Sequence, residues 1–192
     1  MAGEDLKTLV LAQDGDLVLI VGDSDKQMGI KVNSALLRAA SKVFNAMLGP
    51  QFAEGQYFDK SNLKDVPLPE DDPGAMAALC SIIHYRNDLL EELPEARKIF
   101  FMAVLADRYD CTTLLRQTSQ YWFTFSPTVV YDWACMIAAA YVLNNEQGFQ
   151  KFAEKLVLEY DLPYGNLHHQ TVAICESTPW KLWCKGDIKT AT

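Results

Sequence analysis

The chain has 192 residues, 49% hydrophobic and 22% charged, a balance that excludes an intrinsically disordered polypeptide; the length allows one domain, or one domain with an annex. The formal net charge is −8 and the sequence pI about 4.8. With no Lys/Arg stripe, that charge weighs against nucleic acid and anionic lipid and favours a protein partner with a basic contact surface.

In chain order, residues 6–11 read as a short strand, and Asp14-Gly15 as a turn. Leu17-Val18-Leu19-Ile20-Val21 is an unbroken apolar run, which predicts a strand buried on both faces. After the loop-like Gly22-Asp23-Ser24-Asp25-Lys26, the residues Met28, Ile30 and Val32 alternate with Gln27, Gly29 and Lys31. This period of two predicts a half-buried strand, and the two runs together a β-hairpin. The period then lengthens. Ser34 is placed to cap a helix, Ser41 to cap a second one, and Gly49-Pro50 to stop it. Leu36, Leu37, Ala40, Val43, Phe44, Met47 and Leu48 give the apolar spacing of this helical pair.

Residues 51–65 are polar and read as an exposed loop. Val66-Pro67-Leu68 suits an edge strand, because proline lacks the N–H that a central ladder needs. Asp72-Pro73 predicts a helix start, with Met76, Leu79, Cys80 and Ile83 on its apolar face. Pro94 opens a helix running through Tyr109. Another begins at Asp110 or Thr112 and carries Leu114, Leu115, Thr118 and Trp122. Beyond a boundary at Ser126-Pro127, two amphipathic helices are predicted over 128–143 and 146–160. A further helix is predicted near 166–176, ahead of a frayed end.

A hairpin, two short helices, an edge strand and successive helix pairs resemble the BTB/POZ fold. Asp16-Leu17-Val18-Leu19-Ile20-Val21 looks like that family's opening strand. Asn33 to Leu48, with Ser41 and Phe44, looks like its central motif, and Leu105-Ala106-Asp107-Arg108-Tyr109 like a helix end that often reads Ala-Asp-Lys-Tyr. The resemblance covers roughly residues 10–125 and is nearest to the stand-alone BTB proteins of filamentous fungi. It implies an α+β fold, a short mixed sheet with a cluster of helices. The organisation it implies is a BTB/POZ domain over 1–125 and a C-terminal helical extension over 126–192. Two departures stand out. Asn33 replaces the usual His, and Ser34 replaces the basic residue that faces the opening-strand aspartate in dimerising zinc-finger members. Asp16 therefore lacks that basic partner, and the segment before it is short for a swapped N-terminal helix, while other modes of self-association stay open.

In BTB adaptors for cullin ubiquitin ligases, an apolar-x-acidic triplet follows the central motif, and Phe52-Ala53-Glu54 resembles it. The resemblance implies partner contacts at Met47, Phe52, Glu54 and Tyr109, with local packing of Phe52 as the competing reading. It implies a protein-interaction scaffold, in its sharper form a substrate adaptor for a cullin E3 ligase. The alternative is a self-associating transcription-linked or signalling module.

No catalytic motif is present: there is no G-x-S-x-G, P-loop, G-x-G-x-x-G or H-E-x-x-H, so no enzyme activity and no cofactor are expected. His168-His169 with Cys175 and Cys184 are too loosely spaced for structural zinc. His84 reads as a satisfied core or edge residue, Glu70-Asp71-Asp72 as a charge-favoured helix start, and Glu91-Glu92 as a solvated loop. Tyr121-Trp122-Phe123-Thr124-Phe125 reads as a packing seam between the core and the C-terminal helices, and Trp180 and Trp183 as residues that dock back onto the body. Five cysteines without close pairs argue against a disulfide framework. The acidic start lacks a signal peptide, and no apolar run reaches ~18 residues. The expectation is an intracellular protein of the cytoplasm or nucleus with no membrane span.

Overall fold

The computed structural model describes residues 6–23, 25–49 and 63–160. Two apolar runs on either side of Gly22 form its central hairpin: β2 (Leu17–Val21) and β3 (Met28–Val32) pair antiparallel, Leu17 opposite Val32 and Val21 opposite Met28. Leu17, Leu19, Val21, Ile30 and Val32 are fully buried. The expected burial of β2 on both faces holds for one only. Val18 and Ile20 are half-buried, because they lie opposite Lys31 and Gly29 on one neighbour and Asp65 and Pro67 on the other. Gly22 takes φ 92°, a left-handed conformation that a Cβ would strain.

β1 (Thr8–Val10) runs parallel to β3, with Thr8 opposite Gly29. β4 (Lys64–Leu68) runs parallel to β2. The order β1-β3-β2-β4 puts Pro67 on an edge strand, as its chemistry requires.

Seven α-helices follow among the described residues. Asn33, not Ser34, caps α1 (Ser34–Ala40): its side-chain oxygen accepts from the Ala35 and Leu36 N–H groups. Ser34 is diverted, its own N–H and hydroxyl both donating to Asp16. Ser41 caps α2 (Lys42–Met47) by accepting from the Phe44 N–H, as its position predicts. Asp72 caps α3 (Pro73–Ile83), with Pro73 in the first turn. α4 (Ala96–Arg108) begins two residues after Pro94. A 3-10 turn over Thr112–Leu115 leads into α5 (Arg116–Trp122). α6 (Val130–Val142) and α7 (Glu146–Glu159) are the two predicted helices beyond Ser126-Pro127. The helix expected near 166–176 lies outside the described residues.

The architecture is α+β, a short mixed sheet with helices and a C-terminal helical pair. The chain divides into two compact units. One holds the sheet, α1 to α3 and Leu105–Leu114, with a core of Leu17, Leu19, Ile30, Leu37, Phe44, Met76 and Leu79. The other holds Leu93–Val104 and the chain from Leu115, with Ile99, Phe100, Met102, Trp133, Met136 and Phe152 at its centre. This division does not coincide with the expected boundary at Ser126-Pro127. α5 groups with the helical pair because Phe123, next after it, lies 6.4 Å from Phe152 and the carbonyls of Phe123, Thr124 and Phe125 all accept from the Lys151 ammonium.

Candidate partner-binding surface

α1 and α2 are short, seven and six residues, too short to be stable alone. They are fixed from below. Leu37, Phe44 and Leu48 are buried, and the Phe44 ring stacks on Tyr109 with centroids 4.2 Å apart and planes 10° apart. Ser41, at the joint between the helices, donates its hydroxyl to the Tyr109 carbonyl at 2.5 Å. Burying Phe44 contributes about 1.5–3 kcal/mol, and the stacked pair adds about 0.5–1.5 kcal/mol.

Several of the residues this platform exposes are apolar. Leu36 is 36% exposed and Val43 37% exposed; Ala35, Ala39 and Ala46 are also exposed, and Met47 is half-buried. Polar residues border it: Arg38 donates to Asn45 at 3.2 Å, and Lys42 pairs with Asp110 at 3.1 Å. That ion pair is solvent-exposed and contributes little to stability.

The sequence-predicted contact residues are not gathered in one place. Met47 sits at the end of α2 beside the exposed face. Phe52 and Glu54 lie outside the described residues. Tyr109 is 5% exposed and its hydroxyl donates to Asp71 at 2.5 Å, so it holds the platform from within. Burial, with the hydrogen bond to Asp71, pushes its phenol well above the usual range.

Asp71 is the residue that sequence reasoning missed. Within the Glu70-Asp71-Asp72 run, Asp72 caps α3 as expected, but Asp71 is 6% exposed and accepts from both Arg108 and Tyr109. It ties the turn before α3 to the end of α4, and no local pattern signals that. His84 is 8% exposed. Its Nε2 accepts the Asn33 N–H at 2.9 Å, and its Nδ1 lies 2.8 Å from the Cys80 carbonyl. The ring is thus neutral with the proton on Nδ1, and burial lowers its pKa from the ordinary value.

Among the described residues, no group of three or more His, Cys, Asp or Glu side chains is placed to hold a metal ion. Cys80, Cys111 and Cys135 are free and buried. Burial pushes Cys111 up to about 11 and Cys135 up to about 12, and Cys80 further still. These thiols are inert at neutral pH and serve as small hydrophobes. His168, His169, Cys175, Cys184, Trp180 and Trp183 lie outside the described residues. In the helical unit a cavity of about 730 Å³ is lined by polar side chains including Arg116, Gln120, Asn144 and Gln147. Of the aromatic run, Trp122 and Phe123 are buried while Tyr121 and Phe125 are about half exposed. No described helix is long and apolar enough to cross a membrane.

A short mixed sheet and two short helices fixed by Tyr109 are the architecture of a protein–protein interaction module. The family model for the BTB/POZ domain matches residues 10–124, and the chain belongs to that family. A comparison with curated proteins returns no match.

Proposed function

We propose that the α1–α2 face is the docking surface of this BTB module and that its partner is the N-terminal region of a cullin, which makes the chain a substrate adaptor of a ubiquitin ligase. The observation that carries the reading is Leu36 and Val43 held in solvent beside the half-buried Met47, on helices locked by Ser41 and Phe44. A surface this apolar on so fixed a platform is spare for the fold and useful to a partner. The Phe52-Ala53-Glu54 triplet adds an apolar anchor and a carboxylate a few residues past α2. Substrate recruitment falls to the chain from Ser126 onward. The net charge of −8 favours a partner with a basic rim.

Size exclusion with light scattering, using the full chain with and without a cullin N-terminal region, tests this. The expected result is a one-to-one complex. Phe52→Ala weakens it by at least roughly thirtyfold, as loss of a central apolar anchor does, and Val43→Glu disrupts it. Unchanged cullin affinity in Phe52→Ala removes the cullin assignment. The second reading is self-association outside ubiquitin chemistry, favoured by the small residues Ala35 and Ala39 on the exposed side of α1, which let a second copy of the helix approach closely. A dimer of the chain alone, lost in Val43→Glu and indifferent to the cullin region, selects it.

A further inference from the structure

The two nitrogens of the His84 ring are both committed to backbone, and one commitment reaches the start of α1. Nδ1–H donates to the Cys80 carbonyl one turn back in α3, while Nε2 accepts the N–H of Asn33. Asn33 is the N-cap of α1, its side chain accepting from Ala35 and Leu36. An imidazolium has a proton on both nitrogens and cannot accept from an N–H. Protonating His84 therefore sets two donors against each other at 2.9 Å, and the contact must open.

We propose that His84 is a proton-operated latch on α1: mild acidification releases the Asn33 cap and loosens the helix that carries Leu36 and the exposed alanines. The consequence for partner binding rests on the docking face proposed above, whereas the opening of the helix does not.

The charged groups on the neighbouring elements have partners of their own. Asp16, on the chain entering β2, is held by Ser34. Lys31 of β3 donates to the Gln13 carbonyl, and Arg38 of α1 donates to Asn45. Arg86 beyond α3 is paired with Asp88, and Asp71 before α3 with Arg108 and Tyr109. Within α3, Cys80 is buried and stays a thiol. No charged side chain contributes to the displacement of the His84 pKa: burial lowers it, the hydrogen bond to the Cys80 carbonyl opposes that, and the Asn33 N–H on Nε2 favours the neutral ring. The sign follows. The folded-state pKa is below that of the open state, so the latch is fully closed above about pH 6.5, the ordinary imidazole value, and is lost as pH falls through the window beneath it.

The test is hydrogen exchange of the full chain, read at the Ala35 and Leu36 amides and corrected for intrinsic rates, at about pH 7.5 and about pH 5.8. Linkage to one proton limits the effect to roughly fivefold over this interval, and a fall in protection approaching roughly fivefold is expected. In His84→Gln the same amides show no pH dependence. Imidazole nitrogen shifts of the wild-type chain provide a reading that does not depend on a variant folding: at the higher pH they report the Nδ1–H form, and the ring titrates below its ordinary value. A ring that titrates at or above the ordinary value overturns the proposal, as does unchanged protection of α1 while the ring gains its proton. Failure to bind a cullin or a second copy leaves these readouts unaffected and counts only against the docking face.

Discussion

Asp71 shows how much a single carboxylate does when it is buried. Its two oxygens receive Arg108 from the end of α4 and the hydroxyl of Tyr109, and Tyr109 in turn supports Phe44 and Ser41. Asp71→Ala leaves the Tyr109 hydroxyl buried without an acceptor, a cost of about 2–3 kcal/mol. Tyr109→Phe costs less, because Asp71 keeps Arg108; urea titration of both variants measures the difference. Tyr85 is the opposite case. It takes φ 58° immediately after the α3 cap and is 82% exposed, so its side chain contributes no packing while its backbone sits where non-glycine residues are strained. Tyr85→Gly raises stability by about 0.5–1 kcal/mol, seen as a higher melting temperature.

At the level of elements, a prediction turns on the approach of α7 to Phe123. A Cβ on Gly148 would stand 2.7 Å from Phe123 Cγ and 2.9 Å from Cδ1. The ring is 5% exposed and lies against Phe152. Alanine in a helix normally gains about 0.5–1 kcal/mol over glycine, but overpacking of about 1–3 kcal/mol exceeds that. Gly148→Ala therefore destabilises the protein, by about 1 kcal/mol in chemical denaturation. This contact, like most of what fixes the elements in space, leaves no trace in local sequence. What was legible was local: the apolar run of β2, the two-residue period of β3, Ser41 and the Asp72-Pro73 start as helix signals, and the spacing of α6 and α7. What was not legible depended on residues distant in sequence. Ser34 reads as a cap until Asp16, 18 positions earlier, takes its hydroxyl and leaves the cap to Asn33. Asp71 reads as part of a charge-favoured helix start until Arg108, 37 positions on, reaches it. The same holds for the surface. The sequence marked Met47 near its edge and marked Tyr109 as a contact, but could not reveal that a tyrosine at a helix end turns inward, nor that Leu36 and Val43, which share the helical spacing of the core, face water.

For the whole molecule, both compact units carry buried thiols among the described residues: Cys80 and Cys111 lie in the unit with the sheet, Cys135 in the helical one. Because burial raises all three thiol pKa values, each sulfur stays protonated and shielded until its own surroundings open. An alkylating reagent in excess thus leaves all three unmodified in the native protein over times that fully modify the denatured chain, and mass spectrometry of the peptides reads this directly. Gradual addition of denaturant exposes Cys80 and Cys111 together. Among the described residues the chain in effect holds built-in gauges, two for the platform and one for the helical unit, which timestamp the breathing of each without any foreign label.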